Sequence, residues 1–202
     1  MTAENSRPGR DTGTADELRG DDAQDKYGAD DDPYADSAPG YLSAGWSPIP
    51  LPYRRKAPPP TGTTGYAGVY ATEELVAAWS RGGPHNIALR LPETVLGLDV
   101  DAYGGKGGAG TLAEHEERLG ALPPTWRSTA WHDDPVSGIR YFRVPGGRRW
   151  SGELEGGGVE VVHHGHRYAV AWPSVHPDTG GTYGWYEPDG RKAEGVIPAP
   201  ED

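Results

Sequence analysis

The chain contains no cysteine, which excludes disulfide scaffolds, cysteine-based zinc fingers, iron–sulfur clusters and thiol catalysis. Long apolar runs are missing too. No stretch approaches the roughly 18 consecutive apolar residues a membrane-spanning helix needs, and the N-terminal stretch has no apolar signal-peptide segment. These absences lead us to expect a soluble cytoplasmic protein with no membrane partner. Large apolar side chains are scarce across residues 1–37, where Leu18 alone exceeds alanine apart from Met1 and two tyrosines. The same stretch holds 11 acidic and 4 basic residues. It buries too little surface to offset its ordering entropy, so residues 1–40 are expected to form a disordered acidic tail.

The remaining composition argues for folding. Across 202 residues, 31 glycines and 20 prolines bring the chain to the edge of disordered compositions. Against that stand 7 tryptophans and 11 tyrosines, which a solvated polymer does not accumulate. The expectation is one loop-rich domain over residues 41–190, with a flexible C-terminal tail at 191–202.

Within that domain, Gly45–Pro52 reads as extended because each proline fixes its own φ and biases the residue before it. Arg54, Arg55 and Lys56 follow as a basic surface loop. Thr72 is an expected N-cap for a helix carrying Leu75, Val76 and Trp79, stopped by Gly82-Gly83-Pro84. A second helix is expected to open at Thr111, with Glu114 completing a capping box, and to end at Gly120. Elsewhere the period is two, predicting strands at 87–91, 95–101, 125–131, 139–144, 159–163, 167–172 and 182–186. Two helices and six or seven short strands define an α+β domain.

The most informative segment is Val95-Leu96-Gly97-Leu98-Asp99-Val100-Asp101. Residues two apart share a strand face, so Asp99 and Asp101 project together. Two carboxylates on an apolar strand repel each other and resist burial unless something positive lies between them. A hard divalent cation, Mg²⁺ or Mn²⁺, answers that need. Glu160 sits in another β-branched run and on a neighbouring strand would complete a set of three. Such a set suits two-metal chemistry, while an exposed acidic face or pairing with arginines is the alternative. His163, His164 and His166 form a turn, but neighbouring strand residues point oppositely, which is poor spacing for one zinc ion.

These residues, in this order, resemble the N-terminal domain of bifunctional DNA primase/polymerases (Prim-Pol), of the archaeo-eukaryotic primase superfamily. The likeness begins at Gly45-Trp46-Ser47-Pro48-Ile49-Pro50-Leu51 with Lys56-Ala57-Pro58, and continues through Trp79 and Pro84-His85-Asn86-Ile87-Ala88-Leu89. Leu98-Asp99-Val100-Asp101 is similar to the family's metal motif, and Leu122-Pro123-Pro124-Thr125 to another element. Glu160 falls where the family has its third metal carboxylate. Arg167 to Gly180, with Tyr183 and Trp185, is similar to the closing segment. One departure stands out. The family's Ser/Gly-rich strand ends in a phosphate-contacting histidine, and the matching Ser137-Gly138-Ile139-Arg140 has none.

The resemblance implies a primase-like catalytic core, an antiparallel or mixed sheet flanked by helices, with Asp99, Asp101 and Glu160 holding two Mg²⁺ or Mn²⁺ ions. It implies dNTPs or NTPs as substrates and a DNA template or primer as partner, with any replicative helicase a separate protein. Arg140 is the expected phosphate donor in place of the histidine, with Arg167, Ser174 and His176 beside it. Arg54, Arg55, Lys56, Arg148 and Arg149 are the expected contacts to the nucleic-acid backbone. Two alternatives accompany this reading: a catalytically degenerate nucleic-acid-binding accessory domain of the same fold, and a metal-dependent nuclease.

Overall fold

The computed structural model describes residues 31–200, so most of the expected acidic tail lies outside the described residues. Among the described residues, regular structure starts earlier than the expected residue 41. Helix α1 spans Pro33–Ser43. Asp32 caps it, its carboxylate accepting from the backbone N–H of Tyr34 and Ala35, and Pro33 takes the first turn, where a missing N–H costs nothing. Tyr34, Ala38 and Tyr41 recur on one helical face and are fully buried. Acidic composition over a long window had hidden this short tyrosine stripe, and residues 33–40 are helix rather than tail.

Strand β1 (Ser47–Pro52) pairs antiparallel with β2 (His85–Arg90). It is an edge strand of a three-stranded sheet ordered β1-β2-β7, with β7 at Ala169–Val170. An edge is where prolines at every second position, 48, 50 and 52, are tolerated. The second sheet has six antiparallel strands in the order β6-β3-β5-β4-β8-β9. They are β3 (Val95–Val100), β4 (Arg127–Thr129), β5 (Gly138–Arg143), β6 (Val159–Val162), β8 (Gly184–Tyr186) and β9 (Lys192–Ala193). Among the described residues the fold is thus α+β, with two antiparallel sheets and three α-helices.

Helix α2 (Glu73–Trp79) starts at the expected cap, Thr72 accepting from Leu75 N–H. Helix α3 (Gly108–Leu119) does not. It opens three residues before Thr111, whose hydroxyl is turned to the carbonyl of Gly157 at 2.7 Å. Gly108 packs flush against the ends of β3 and β6, a Cβ there falling 2.3 Å from the carbonyl oxygen of Gly158 and 2.5 Å from that of Asp101. Close backbone approach, not the capping box, fixes where this helix begins.

One core cluster joins Tyr34, Ala38 and Tyr41 of α1 to Ile87 and Leu89 of β2 and to Val95, Ile139, Tyr141, Val162 and Trp185 of the larger sheet. On the other face of that sheet Leu96, Leu98, Val100, Val159 and Val161 pack with Leu112 of α3. The C-terminal segment belongs to the fold as well. Ile197 is buried, its carbonyl accepting from the Trp46 indole at 2.8 Å, and Ala199 N–H bonds the carbonyl of Ala44. Residues 191–200, expected as a flexible tail, instead close over the N-terminal elements. Among the described residues no helix is long and apolar enough to cross a membrane.

Candidate active site

Strand register decides which side chains meet. Asp99 on β3 lies directly opposite Glu160 on β6 and directly opposite Ile139 on β5. Asp99, Glu160 and Ile139 therefore share one sheet face, and Asp101 follows Asp99 by two residues at the strand's end. Asp99 is half-buried. Burial first, then the charges of Asp101 and Glu160, push its carboxyl up to about 6, against the opposing pull of Lys56 and Lys106.

The other two acids are held by cations. Lys106 donates to Asp101 at 2.8 Å and to the Tyr103 hydroxyl at 2.7 Å. Arg167 Nε lies 3.0 Å from Glu160, with His166 at 3.5 Å. Asp101, Glu160, His166 and Arg167 line a surface cleft of about 580 Å³. Among the described residues, no three carboxylate or imidazole groups converge closely enough to enclose an ion. The donor chemistry nonetheless fits a hard divalent cation: carboxylate oxygens predominate, with burial and mutual repulsion lifting Asp99. Arg167 and Lys106 occupy the positive role such an ion would take.

A second group of side chains is carried to these acids by Asn86. Its amide donates to the carbonyls of Arg55 (3.1 Å) and Val175 (2.8 Å), and its oxygen accepts from Val175 N–H. One buried side chain thus ties the 53–58 loop to the 173–177 segment, setting Lys56 and His176 on neighbouring supports. Desolvation lowers the Lys56 ammonium, while Asp99, Asp178 and Asp101 pull it upward. His176 is almost wholly buried. Its Nδ1 accepts from the N–H groups of Asp178 and Thr179, so the proton resides on Nε2. That Nε2 is buried with no hydrogen-bond partner. Burial, then Lys56, lowers the imidazole's pKa, keeping the ring neutral. Its neighbours are Trp131, centroid 5.6 Å away, and Tyr183 at 5.8 Å, with Tyr103 stacked on Trp131 at 4.1 Å.

Other expected residues are placed differently. Ser174 is fully buried and spends its hydroxyl on β2, donating to the carbonyl of Ile87 and accepting from its N–H, so it is a strand clamp turned into the core. Arg140 pairs with Leu98, not Asp99, and shares the sheet face that carries Val161 and α3. The β5 residue facing Asp99 is the apolar Ile139, so Arg140 cannot stand in for the family histidine at these carboxylates. Arg54 and Arg55 are exposed, Arg54 lying over the Tyr53 ring. Arg148 and Arg149 are exposed as well, with Arg149 over Tyr66 at 5.0 Å. His163 stacks on His166 at 5.7 Å without forming a metal-ligand set. Sequence reasoning missed Lys106, Tyr103 and Trp131. Only Lys106 left a signal, a lone cation in a glycine-rich stretch just beyond Asp101.

Asp99 on β3 thus stands paired with Glu160 on the edge strand β6, with Asp101, Lys106 and Arg167 beside them. Residues 38–202 match the model for the N-terminal domain of bifunctional DNA primase/polymerases, and the chain belongs to that family. No curated protein and no solved structure matches it. Membership carries a nucleotidyltransferase-type enzyme class, general dependence on divalent metal, and DNA and nucleotides as substrates.

Proposed function

We propose that this chain performs template-directed transfer of a nucleotidyl unit from a (d)NTP to a 3′-hydroxyl of DNA. The observation that carries it is the Asp99–Glu160 cross-strand pair with Asp101 beside it. Asp99, Asp101 and Glu160 would hold divalent ions, which supply Lewis-acid activation of the attacking hydroxyl and charge stabilisation for departing pyrophosphate. Asp99 contributes full charge only above about pH 6 when no cation neutralises its neighbours. Lys56 and Arg167 neutralise phosphate oxygens, and the Nε2–H of His176 donates a hydrogen bond without adding charge. Tyr103, bonded to Lys106 and stacked on Trp131, offers an aromatic surface next to Asp101's lysine. Arg54, Arg55, Arg148 and Arg149 track the strand backbone, so DNA binding weakens with salt.

A second reading, a catalytically inactive DNA-binding domain of the same family, is favoured by one observation. Ile139 lies across from Asp99 where the resemblance leads one to expect a strand carrying a phosphate-binding imidazole.

Primer extension separates the two. Labelled primer–template is incubated with dNTPs in Mg²⁺ or Mn²⁺, beside Asp99→Ala/Asp101→Ala. Metal-dependent extension by the wild type and none by the variant is the expected result. Folded wild-type protein that binds DNA but extends nothing in either metal sinks the enzymatic reading.

A further inference from the structure

The face of the larger sheet turned away from the carboxylates carries the opposite problem. Arg127 on β4 and Arg140 on β5 are register partners, two guanidiniums directly across from each other. Like charges so placed are destabilising. Among the described residues neither makes an ion pair. Each is partly desolvated, which lowers its pKa, and Arg127 lowers that of Arg140 further. Both instead hold one turn. Arg127 Nη1 donates to the carbonyls of Asp134 (2.8 Å) and Ser137 (2.6 Å), and Arg140 donates to those of Val136 and Pro135. A guanidinium has five N–H donors in a rigid fork, so each arginine keeps donors in hand.

Those donors face a cavity of about 400 Å³. Pro123 and Pro124 form one wall. Tyr186 forms another, its ring 4.7 Å from the Arg127 guanidinium and its hydroxyl bonded to His132 Nδ1 at 2.9 Å. The space exceeds a bare phosphate and lies within the range of small-molecule sites. Acids at the rim are largely satisfied. Glu116 accepts from Leu122 N–H at 3.0 Å, and Arg191 holds Glu187 at 2.6 Å. Asp133 is the exposed exception.

We propose that Arg127 and Arg140 form a second, metal-independent binding site for a nucleotide phosphate, on the sheet face opposite Asp99 and Glu160. Two converging forks suit an anionic phosphate group, and the proline–tyrosine walls suit the flat base of the same nucleotide unit. The phosphate comes either from a free nucleotide or from one unit of a DNA strand, and the ligand arms below tell these apart. Either way the site grips substrate where no bond is made or broken, so it can retain a nucleotide or strand between turnovers.

The test is calorimetric titration of the full chain in EDTA with dTTP, and separately with a twelve-residue oligo-dT. The expected result is saturable binding of at least one. It should weaken at least tenfold in Arg127→Gln/Arg140→Gln and persist in Lys56→Ala/Arg167→Ala, which alters the carboxylate cleft. Binding of dTTP identifies a free nucleotide; binding of the oligonucleotide alone identifies a strand. Absence of binding in EDTA, binding unchanged in the arginine variant, or binding lost in the Lys56/Arg167 variant overturns the proposal. Should the arginine variant fail to fold, hydrogen exchange on wild type decides. Ligand must protect residues 127–140, and protection confined to other segments rejects the site. Primer extension reports on the carboxylate site separately, so each reading can fail alone.

Discussion

Asp99 and Glu160 stand directly opposite each other on β3 and β6, two carboxylates on one face of an antiparallel ladder. Nothing in strand formation calls for this. A β-branched pair at these positions would stabilise the sheet, whereas like charges weaken it. The protein offsets the conflict locally, with Arg167 on Glu160 and Lys106 on Asp101, and leaves Asp99 to carry the remainder as a raised pKa.

That remainder predicts an inverted pH dependence of stability. Between the ordinary carboxylate value and about 6, the folded protein holds a proton on Asp99 that the unfolded chain has released. Stability attributable to this group therefore falls as pH rises through that window, by up to about 3 kcal/mol, and is flat above it. In chelator, Asp99→Asn should melt higher than wild type at pH 7.5, and the gap should narrow markedly by pH 4.5. Melting curves at both pH values and at 6 check this; a difference that widens as pH falls contradicts it.

Lys56→Ala should raise the nucleotide KM about tenfold and change kcat less, the loss expected for one charge-assisted contact. Lys56→Arg should restore most of it. Steady-state primer extension with varied dNTP measures both, and a variant with unchanged KM would remove Lys56 from the nucleotide's path.

Gly108→Ala tests the docking of α3. The added methyl would press on the carbonyls of Gly158 and Asp101, so the helix must shift away from the strand ends that carry Asp101 and Glu160. A loss of about 2 kcal/mol or more is expected, with extension activity falling further than stability alone explains. Gly107→Ala, where a Cβ meets nothing within 4 Å, is the matched control. Equal effects from the two substitutions would show that helix propensity, not contact, is responsible.

Much of the carboxylate site was legible because its signals are local. Asp99 and Asp101 share a face by the two-residue period, and Glu160 stood out as an acid inside a β-branched run. Register was not legible. A one-residue difference across β3 and β5 decides between Ile139 and Arg140 facing Asp99, and sequence alone does not align two strands separated by helix α3 and strand β4. Tyr103, Trp131 and His176 meet only after three separate segments have been placed. Helix α1 escaped notice because its stripe is two tyrosines and an alanine set among acids and two prolines.

Deletion of residues 191–202 should destabilise the domain by about 3–5 kcal/mol, from the buried Ile197 side chain and the lost Trp46 hydrogen bond. Thermal melting checks it. A truncated protein melting with the wild type would return this segment to the tail expected from sequence.

Tyr41 donates to the carbonyl of Trp172 at 2.6 Å and accepts from the Trp185 indole at 2.7 Å. The first helix is thus sealed by residues made more than a hundred positions later, and Ala44 by Ala199. On the ribosome, Tyr34 can meet Pro48 and Trp79 soon after α1 emerges, whereas both hydrogen bonds of Tyr41 wait for residues 172 and 185. Until those residues have left the exit tunnel, the C-terminal end of α1 stays unsealed.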